Sequence, residues 1–242
     1  MATAHDVAAH ILKRYGPMTP LKLHKLLYYV QGWYLAWKGE PLFAEPFEAW
    51  GHGPVCQPLY KHHKGFKDLL HSWDYGNPQP VKGDAVYGID CVWRIKGHLT
   101  ATQLRNQTHQ ESPWLNARVN VKPDNSCQDK ISTASMKSSF SVDLPKQVGR
   151  GYAHGRFSLG DVARLLKMSR PDAVVFLETN GYARPLSKIA LSDDERAVKL
   201  AAMREERLKR NGKPVDSRDS VKRSVIATQH LEGVDARPWM KD

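Results

Sequence analysis

The amino-acid sequence predicts a mainly α-helical protein with a small β element. Apolar residues recur at helical spacing near the N-terminus, six of the seven tryptophans lie before residue 119, and the chain after residue 155 is charged with a helical pattern. Bulky aromatic rings supply much of the buried area of a small core. The sequence therefore predicts a packed domain at residues 1–119, a linker rich in Ser, Lys, Asp, Pro and Gly at 120–155, and a helical region at 156–242.

The first two predicted helices have clear boundaries. Apolar residues at helical spacing predict a helix over residues 4–15, and Gly16-Pro17 ends it because proline disfavours a helical residue before it. Thr19 is placed to cap a second helix whose first residue is Pro20. That helix is strongly apolar and is expected to continue to about Trp37.

The remainder of the first domain contains shorter elements. Residues 47–50 fit a short strand that leads into a tight turn at Gly51-His52-Gly53-Pro54. Inside the predicted linker, residues 140–144 alternate like a strand. Further helices are predicted at residues 55–62, 84–96 and 102–108.

Charge and cysteine content restrict the class of protein. The formal net charge is +11, and the basic excess is larger after residue 120, which permits contact with nucleic acid or with an acidic protein. Cys56, Cys91 and Cys127 lack the spacing of a zinc site or a disulfide framework, so reduced thiols are expected. No stretch has the length of a membrane helix and no signal pattern is present, so a cytoplasmic protein is expected.

Catalytic and metal-binding motifs do not stand out. The first domain holds several histidines, but none has the H-E-x-x-H spacing of a metal helix, and neighbouring histidines such as His62 and His63 point to different sides of a helix. The sequence shows neither a nucleophile elbow nor a glycine-rich phosphate loop. We therefore expect a binding protein without catalytic residues, metal or cofactor.

Four blocks of sequence carry a family resemblance. They are residues 18–33, residues 38–43, residues 48–55, and residues 108–114 followed by Ala117-Arg118. Together, in this order, they resemble the Panacea domain, a family that includes SocA-type antitoxins and adaptors. The resemblance implies a mainly helical domain with a small strand element, and a role in neutralising a co-encoded toxin protein.

Aromatic and basic residues in these blocks have two interpretations. Most of the rings fit a hydrophobic core, but Tyr and Trp beside lysines also suit a surface that recognises another protein. The candidate recognition face consists of Lys22, Lys25, Tyr28, Tyr29, Trp33, Trp50, His109 and Trp114.

Residues 158–177 have the rhythm of a helix-turn-helix. Ser158 can cap the first helix, the turn includes Lys167 and Ser169, and Pro171 opens the second helix. The segment resembles the small winged helix-turn-helix of excisionase-type regulators, which implies operator DNA as a partner and Lys167, Ser169 and Arg170 as DNA contacts. The alternative is a short helical hairpin used for packing. This alternative is favoured because the second helix has few residues suited to contact base edges.

Two more helices are predicted near the C-terminus. Ser192 to Glu195 form a capping box at the start of a helix that continues to about Leu208. Residues 221–231 fit a terminal helix, in which a spacing of four places Thr228 and Glu232 on one face, with Gly233 next.

The terminal segment resembles the inhibitory motif of antitoxins that act on Fic-type AMP transferases. In that family the glutamate pairs with an arginine that would otherwise hold the terminal phosphate of ATP, which implies Thr228, Glu232 and Gly233 as toxin-binding residues. The segment departs from the usual motif in having Thr228 where serine is usual and His230 where arginine is usual.

These observations predict the antitoxin of a type II toxin–antitoxin system, which neutralises a protein toxin by direct binding and blocks the ATP site if that toxin is a Fic enzyme. Two alternatives stay open. One is a DNA-binding regulator of its own operon. The other is an adaptor that delivers a toxin to an ATP-dependent protease.

Overall fold

The computed structural model describes residues 2–119, 121, 128–182, 198, 201, 202 and 205. Over these residues the fold is mainly helical with one small sheet, as the sequence predicts. The elements, in chain order, are α1 Ala4–Tyr15, α2 Pro20–Lys38, β1 Phe47–Trp50, β2 Gly53–Cys56, α3 Gln57–His63, α4 Asp84–Lys96, α5 Ala101–Thr108, α6 Ser112–Ala117, β3 Lys130–Ile131, α7 Thr133–Ala153, α8 Leu159–Leu166 and α9 Arg170–Thr179.

Helix α2 is the centre of the first part of the chain. Its N-cap is Thr19, whose side chain accepts from the Lys22 amide, and its C-cap is Gly39 in the left-handed conformation. Most of its residues are buried, which is the expected environment of a helix that is apolar on nearly every side. It packs against α1, α4, α5 and β2.

The sheet has the strand order β2-β1-β3, with both pairs antiparallel. Trp50 pairs with Gly53, so β1 and β2 form a hairpin whose turn is Gly51-His52. The predicted strand at residues 47–50 is confirmed, but Gly53 and Pro54, which we expected in the turn, belong to β2. As a result the next helix begins at Gln57, two residues later than predicted.

The segment 120–155 contains a long helix where the sequence predicted a linker. Helix α7 spans Thr133–Ala153, and the predicted strand-like piece at residues 140–144 is wrong because it lies inside this helix. Val142 is exposed, whereas Phe140 and Leu144 are buried, so the apolar spacing is four and not two. Ser132 begins the helix by accepting from the Ser135 amide.

The chain divides into two compact units, residues 1–147 and 148–242. In the second unit, α8 and α9 form the predicted pair of short helices, and residues 198, 201, 202 and 205 are helical within the helix predicted from Ser192. The predicted terminal helix, with Thr228, Glu232 and Gly233, lies outside the described residues. None of the helices in the described ranges has the length and apolar composition that crossing a bilayer requires.

Candidate functional site

Three of the four sequence blocks, the first, third and fourth, meet at the β1–β2 hairpin, where buried side chains bind backbone carbonyls. The Lys25 Nζ atom donates to the Pro54 carbonyl at 2.8 Å, and the Arg118 guanidinium donates to the Ala49 carbonyl at 2.6 Å. The Trp114 indole donates to the Trp50 carbonyl at 3.0 Å. Because buried carbonyls need partners, these long-range bonds fix the hairpin against α2 and α6.

Gly53 allows the hairpin to approach this closely. Its φ is +90°, and a Cβ atom there would lie 2.7 Å from the Thr108 hydroxyl oxygen and 2.8 Å from Cε of Lys25. A side chain would therefore meet both steric overlap and a strained backbone. The glycine is required by the packing of Lys25 under the strand.

This end of the hairpin has a positive electrostatic environment. Burial, together with the smaller effect of the nearby Arg105 guanidinium, lowers the pKa of Lys25 to about 7. Burial also lowers the pKa of His109 to about 4, and the charged neighbours that add to the effect are all basic: Arg105, Lys25, Arg118 and His52. The Nε2 atom of His109 is buried and has no hydrogen-bond partner among the residues that the structure describes.

Tyr29 of α2 forms a second polar cluster with Glu111 and Lys96. The Tyr29 hydroxyl donates to Glu111 at 2.9 Å, and the Lys96 Nζ atom lies 4.4 Å from the centre of the Tyr29 ring. Burial raises the pKa of Glu111 to about 7, opposed by the Tyr29 hydrogen bond and by the Lys96 charge. The sequence interpretation did not single out Glu111, although it falls inside the fourth block.

His24 and His63 form a buried imidazole pair. The Cys56 amide donates to Nδ1 of His24 at 3.2 Å, so the proton of a neutral His24 is on Nε2. The Nε2 atoms of the two rings are 2.7 Å apart, so His24 donates and His63 accepts. Burial lowers the pKa of both histidines, which agrees with two neutral rings. Over the described residues, no group of three His, Cys, Asp or Glu side chains is arranged to hold a metal ion.

The structure places most of the candidate recognition face in the interior. Lys25, Tyr28, Tyr29, Trp33 and Trp114 are buried. Their positions support the core interpretation of these residues.

Lys22, Trp50 and His109 keep partial exposure. The Lys22 Nζ atom donates to the Gly97 carbonyl at 2.6 Å and lies 5.5 Å from the centre of the Trp93 ring. The His109 ring stacks on Trp114, with 4.2 Å between ring centres. Trp50 is the member of the set that lies on the hairpin itself.

The candidate DNA contacts lie in the turn between α8 and α9. Lys167 has a left-handed backbone and ends α8. The Ser169 hydroxyl is used within the turn, where it accepts from the Asp172 amide and donates to the Asp172 carboxylate. Lys167, Ser169 and Arg170 are all exposed. The geometry is that of two helices joined by a short turn, and it is shared by DNA-binding and packing hairpins.

Comparisons with known proteins concern the first part of the chain. Residues 23–115 match the family described as "Antitoxin SocA-like, Panacea domain". The chain is 33% identical over 110 residues to Antitoxin SocA of Caulobacter vibrioides (strain NA1000 / CB15N), which is 40% of this chain and 58% of that protein. The chain thus spans little more than half the length of this relative. No solved structure matches it.

Proposed function

We propose that this protein is the antitoxin of a bacterial toxin–antitoxin pair and that it acts by binding a co-encoded protein toxin. The observation that carries the proposal is the match of residues 23–115 to the SocA-like antitoxin family. The matched range includes the β1–β2 hairpin together with Lys25 and Trp114, two of the side chains that bind its carbonyls, so the similarity covers parts of one folded unit. The proposal assigns the protein no catalytic role.

The test is growth of cells that express the adjacent gene from an inducible promoter. Co-expression of this chain should restore growth, and the purified proteins should form a complex. Binding with an unchanged toxin level supports direct neutralisation, whereas a fall in the toxin level that depends on an ATP-dependent protease supports the adaptor mechanism. Full toxicity despite normal expression of this chain would remove the antitoxin function.

A finer proposal concerns the C-terminal segment that resembles the Fic inhibitory motif. Thr228 and Glu232 are four residues apart, and Glu232 is the group that would pair with an arginine in an ATP site. Removing one partner of a buried ion pair costs about 3–5 kcal/mol. Glu232→Gly should therefore release AMP transfer by a Fic-type partner in the purified complex, measured with labelled ATP.

Asp235→Gly is the matched control, since it removes a carboxylate three residues further along. It should leave transfer inhibited. Equal, low transfer by the wild-type and Glu232→Gly complexes, with a partner that is active alone, would exclude inhibition through Glu232.

Operator binding is a second candidate function, favoured by the short turn between α8 and α9 with Lys167 and Arg170 exposed. Contacts to phosphates release counterions, so affinity for the promoter of the operon should fall steeply with salt. A mobility-shift assay at low salt, with Arg170→Ala as the variant, measures it. Equal affinity for the promoter and for random DNA would exclude a specific regulator.

A further inference from the structure

The segment between α3 and α4 presents an apolar surface. Phe66 and Leu69 are each 46% exposed and Tyr75 is 58% exposed, and they belong to the few large hydrophobic side chains on the described surface. A cavity of about 500 Å³ opens beside them, lined in part by His62, Trp73 and Tyr75. We call Phe66, Leu69, Tyr75 and this cavity the loop patch. Clustered exposed apolar side chains mark interaction sites more often than scattered ones do.

The loop patch is held in place by contacts on both sides. Met18 and Leu70 exchange two backbone hydrogen bonds, at 3.2 and 2.8 Å. The Asn77 amide donates to the Asp6 carboxylate at 2.8 Å, and Gly76 lies so close to His5 that a Cβ atom would be 2.2 Å from the His5 carbonyl oxygen. The segment between α3 and α4 is thus bound to α1 and to Met18, just before α2. Its exposed side chains therefore project from a backbone that is held in place. A preorganised surface loses less entropy on binding.

Aromatic contacts join the loop patch to the hairpin site. The Trp50 ring lies 4.6 Å from Tyr60, and Tyr60 lies 5.4 Å from His63. His63 lies 6.1 Å from Trp73, which lines the cavity; all these distances are between ring centres. Buried rings at His63 and Trp73 therefore connect the partly exposed Trp50 to the cavity of the loop patch. Aromatic side chains are the usual anchors of protein interfaces.

The charge around the loop patch indicates what binds it. Lys61, Lys64 and Lys67 are exposed, and within the described residues none of them makes a hydrogen bond or an ion pair. The nearby acidic side chains of the segment are Asp68 and Asp74. Lys64 and Asp74 both line the cavity, and the three lysines against two aspartates leave the segment 61–75 with a net charge of +1. A basic segment beside an apolar cavity complements a partner segment with acidic residues beside an apolar anchor.

We infer that the loop patch is the surface on which this protein binds its partner, and that the bound element is an acidic segment of the partner that places an apolar side chain in the cavity between His62, Trp73 and Tyr75. The inference rests on the proposed function, because it names where the toxin docks. It adds a site that the hairpin residues alone do not define, since most of those residues are buried.

The experiment measures the affinity of the purified adjacent-gene product for this chain by titration calorimetry. The triple variant Phe66→Ala/Leu69→Ala/Tyr75→Ala removes the apolar surface, and Lys61→Glu/Lys64→Glu/Lys67→Glu reverses the rim. We expect the first to lower affinity at least about 100-fold and the second at least about tenfold, because anchors dominate interfaces and rim charges contribute less. Raising the salt concentration should weaken the wild-type complex more than the charge-reversed one.

Matched controls come from elsewhere in the same unit. Leu115→Ala removes a side chain with the same 46% exposure as Leu69, and Lys13→Glu/Lys82→Glu reverses exposed lysines away from the loop patch. Both should keep affinity within about threefold of wild type, since neither touches the proposed contact surface. Circular dichroism melts establish that each variant is folded.

The outcomes separate the two proposals. Wild-type protein that does not bind the adjacent product withdraws the antitoxin proposal and this inference with it. Wild-type binding that the folded loop-patch variants retain overturns the inference alone. A wild-type dimer that these variants convert to a monomer, measured by analytical ultracentrifugation, would assign the loop patch to a second copy of this chain and also overturn it.

Discussion

The β1–β2 hairpin and the α8–α9 helical hairpin are both short two-element units, but they are stabilised in different ways. The carbonyls of the β hairpin are bound by side chains 29, 64 and 69 residues away. The helices of the second hairpin are capped by their own neighbours: Ser158 exchanges bonds with Asp161, and Ser169 does so with Asp172. A local helix cap is determined by a few adjacent residues, whereas the position of a buried lysine beneath a strand depends on the whole fold.

The largest expected effect tests the long-range side of this comparison. Gly53→Ala should lower the free energy of unfolding by about 3 kcal/mol or more, because the new Cβ atom overlaps Thr108 and Lys25 at a left-handed backbone position. Urea denaturation measures the change. Gly65→Ala is the matched control, with φ +83° and no atom within 4 Å of the new Cβ, and it should cost only about 1–2 kcal/mol. Equal costs for the two variants would contradict the close packing of Lys25 beneath Gly53.

Arg118→Met should give the next largest loss of stability. It leaves the buried Ala49 carbonyl without the guanidinium that binds it, and an unsatisfied buried acceptor costs about 1–3 kcal/mol. Thermal melting should show this loss. The exposed Arg94→Met should change stability by less than about 0.5 kcal/mol. Equal melting temperatures for Arg118→Met and Arg94→Met would show that the Arg118 guanidinium does not stabilise the strand.

Lys25→Met tests the buried amine through the pH dependence of the free energy of unfolding. The pKa of Lys25 is about 7 in the folded protein, below its ordinary value, so between pH 7 and the ordinary value the unfolded chain binds more protons. Stability should therefore rise with pH in this window, by up to about 1.4 kcal/mol per pH unit from this group. The variant cannot titrate there, and its denaturation midpoints should rise less steeply.

Glu111→Gln is the control for that measurement. The pKa of Glu111 is raised to about 7, so its contribution to stability falls as pH rises from the ordinary carboxyl range towards 7. Replacing it should remove this fall and leave the rise at higher pH unchanged. A rise of equal slope in the wild type and in Lys25→Met would mean that the amine is not the titrating group.

The smallest expected effect lies in the locally capped hairpin. Ser169→Ala removes the acceptor for the Asp172 amide and should cost about 1 kcal/mol, the usual value of an N-cap. Amide hydrogen exchange of α9 reports this local change without unfolding the first unit. The exposed Ser141→Ala in α7 should not alter exchange in α9. Unchanged exchange in Ser169→Ala would show that the cap does not hold the helix.

The same distinction explains what the sequence could predict. The bounds of α1 follow from the apolar spacing and from Gly16-Pro17, and the start of α2 follows from Thr19 and Pro20. Helix α7 was missed because its composition is that of a linker and because Pro145 lies inside it. Its signal was nevertheless present, since the buried residues Met136, Phe140, Leu144 and Val148 recur every four residues.

The candidate site was predicted only in outline. Lys25, Trp114 and the hairpin glycines could be identified as unusual, but a spacing of dozens of residues gives no indication that an amine and a carbonyl meet. The sequence pattern also does not distinguish an aromatic ring buried in the core from one exposed at a binding surface, so Tyr28 and Trp33 were grouped with Trp50. The loop patch was missed because its residues follow no helical or strand periodicity.

The imidazole pair of His24 and His63 has a use as a spectroscopic reporter. Its hydrogen bonds run in one direction, from the Cys56 amide through His24 to His63, so the two rings should give nitrogen resonances of opposite tautomers, with the proton on Nε2 of His24 and on Nδ1 of His63. His63 also lines the cavity of the loop patch. In a sample labelled with ¹⁵N-histidine, occupation of that cavity should shift the ring signals of His62 and His63, which both line it, before those of histidines elsewhere. Such a shift would locate a bound segment without a structure of the complex.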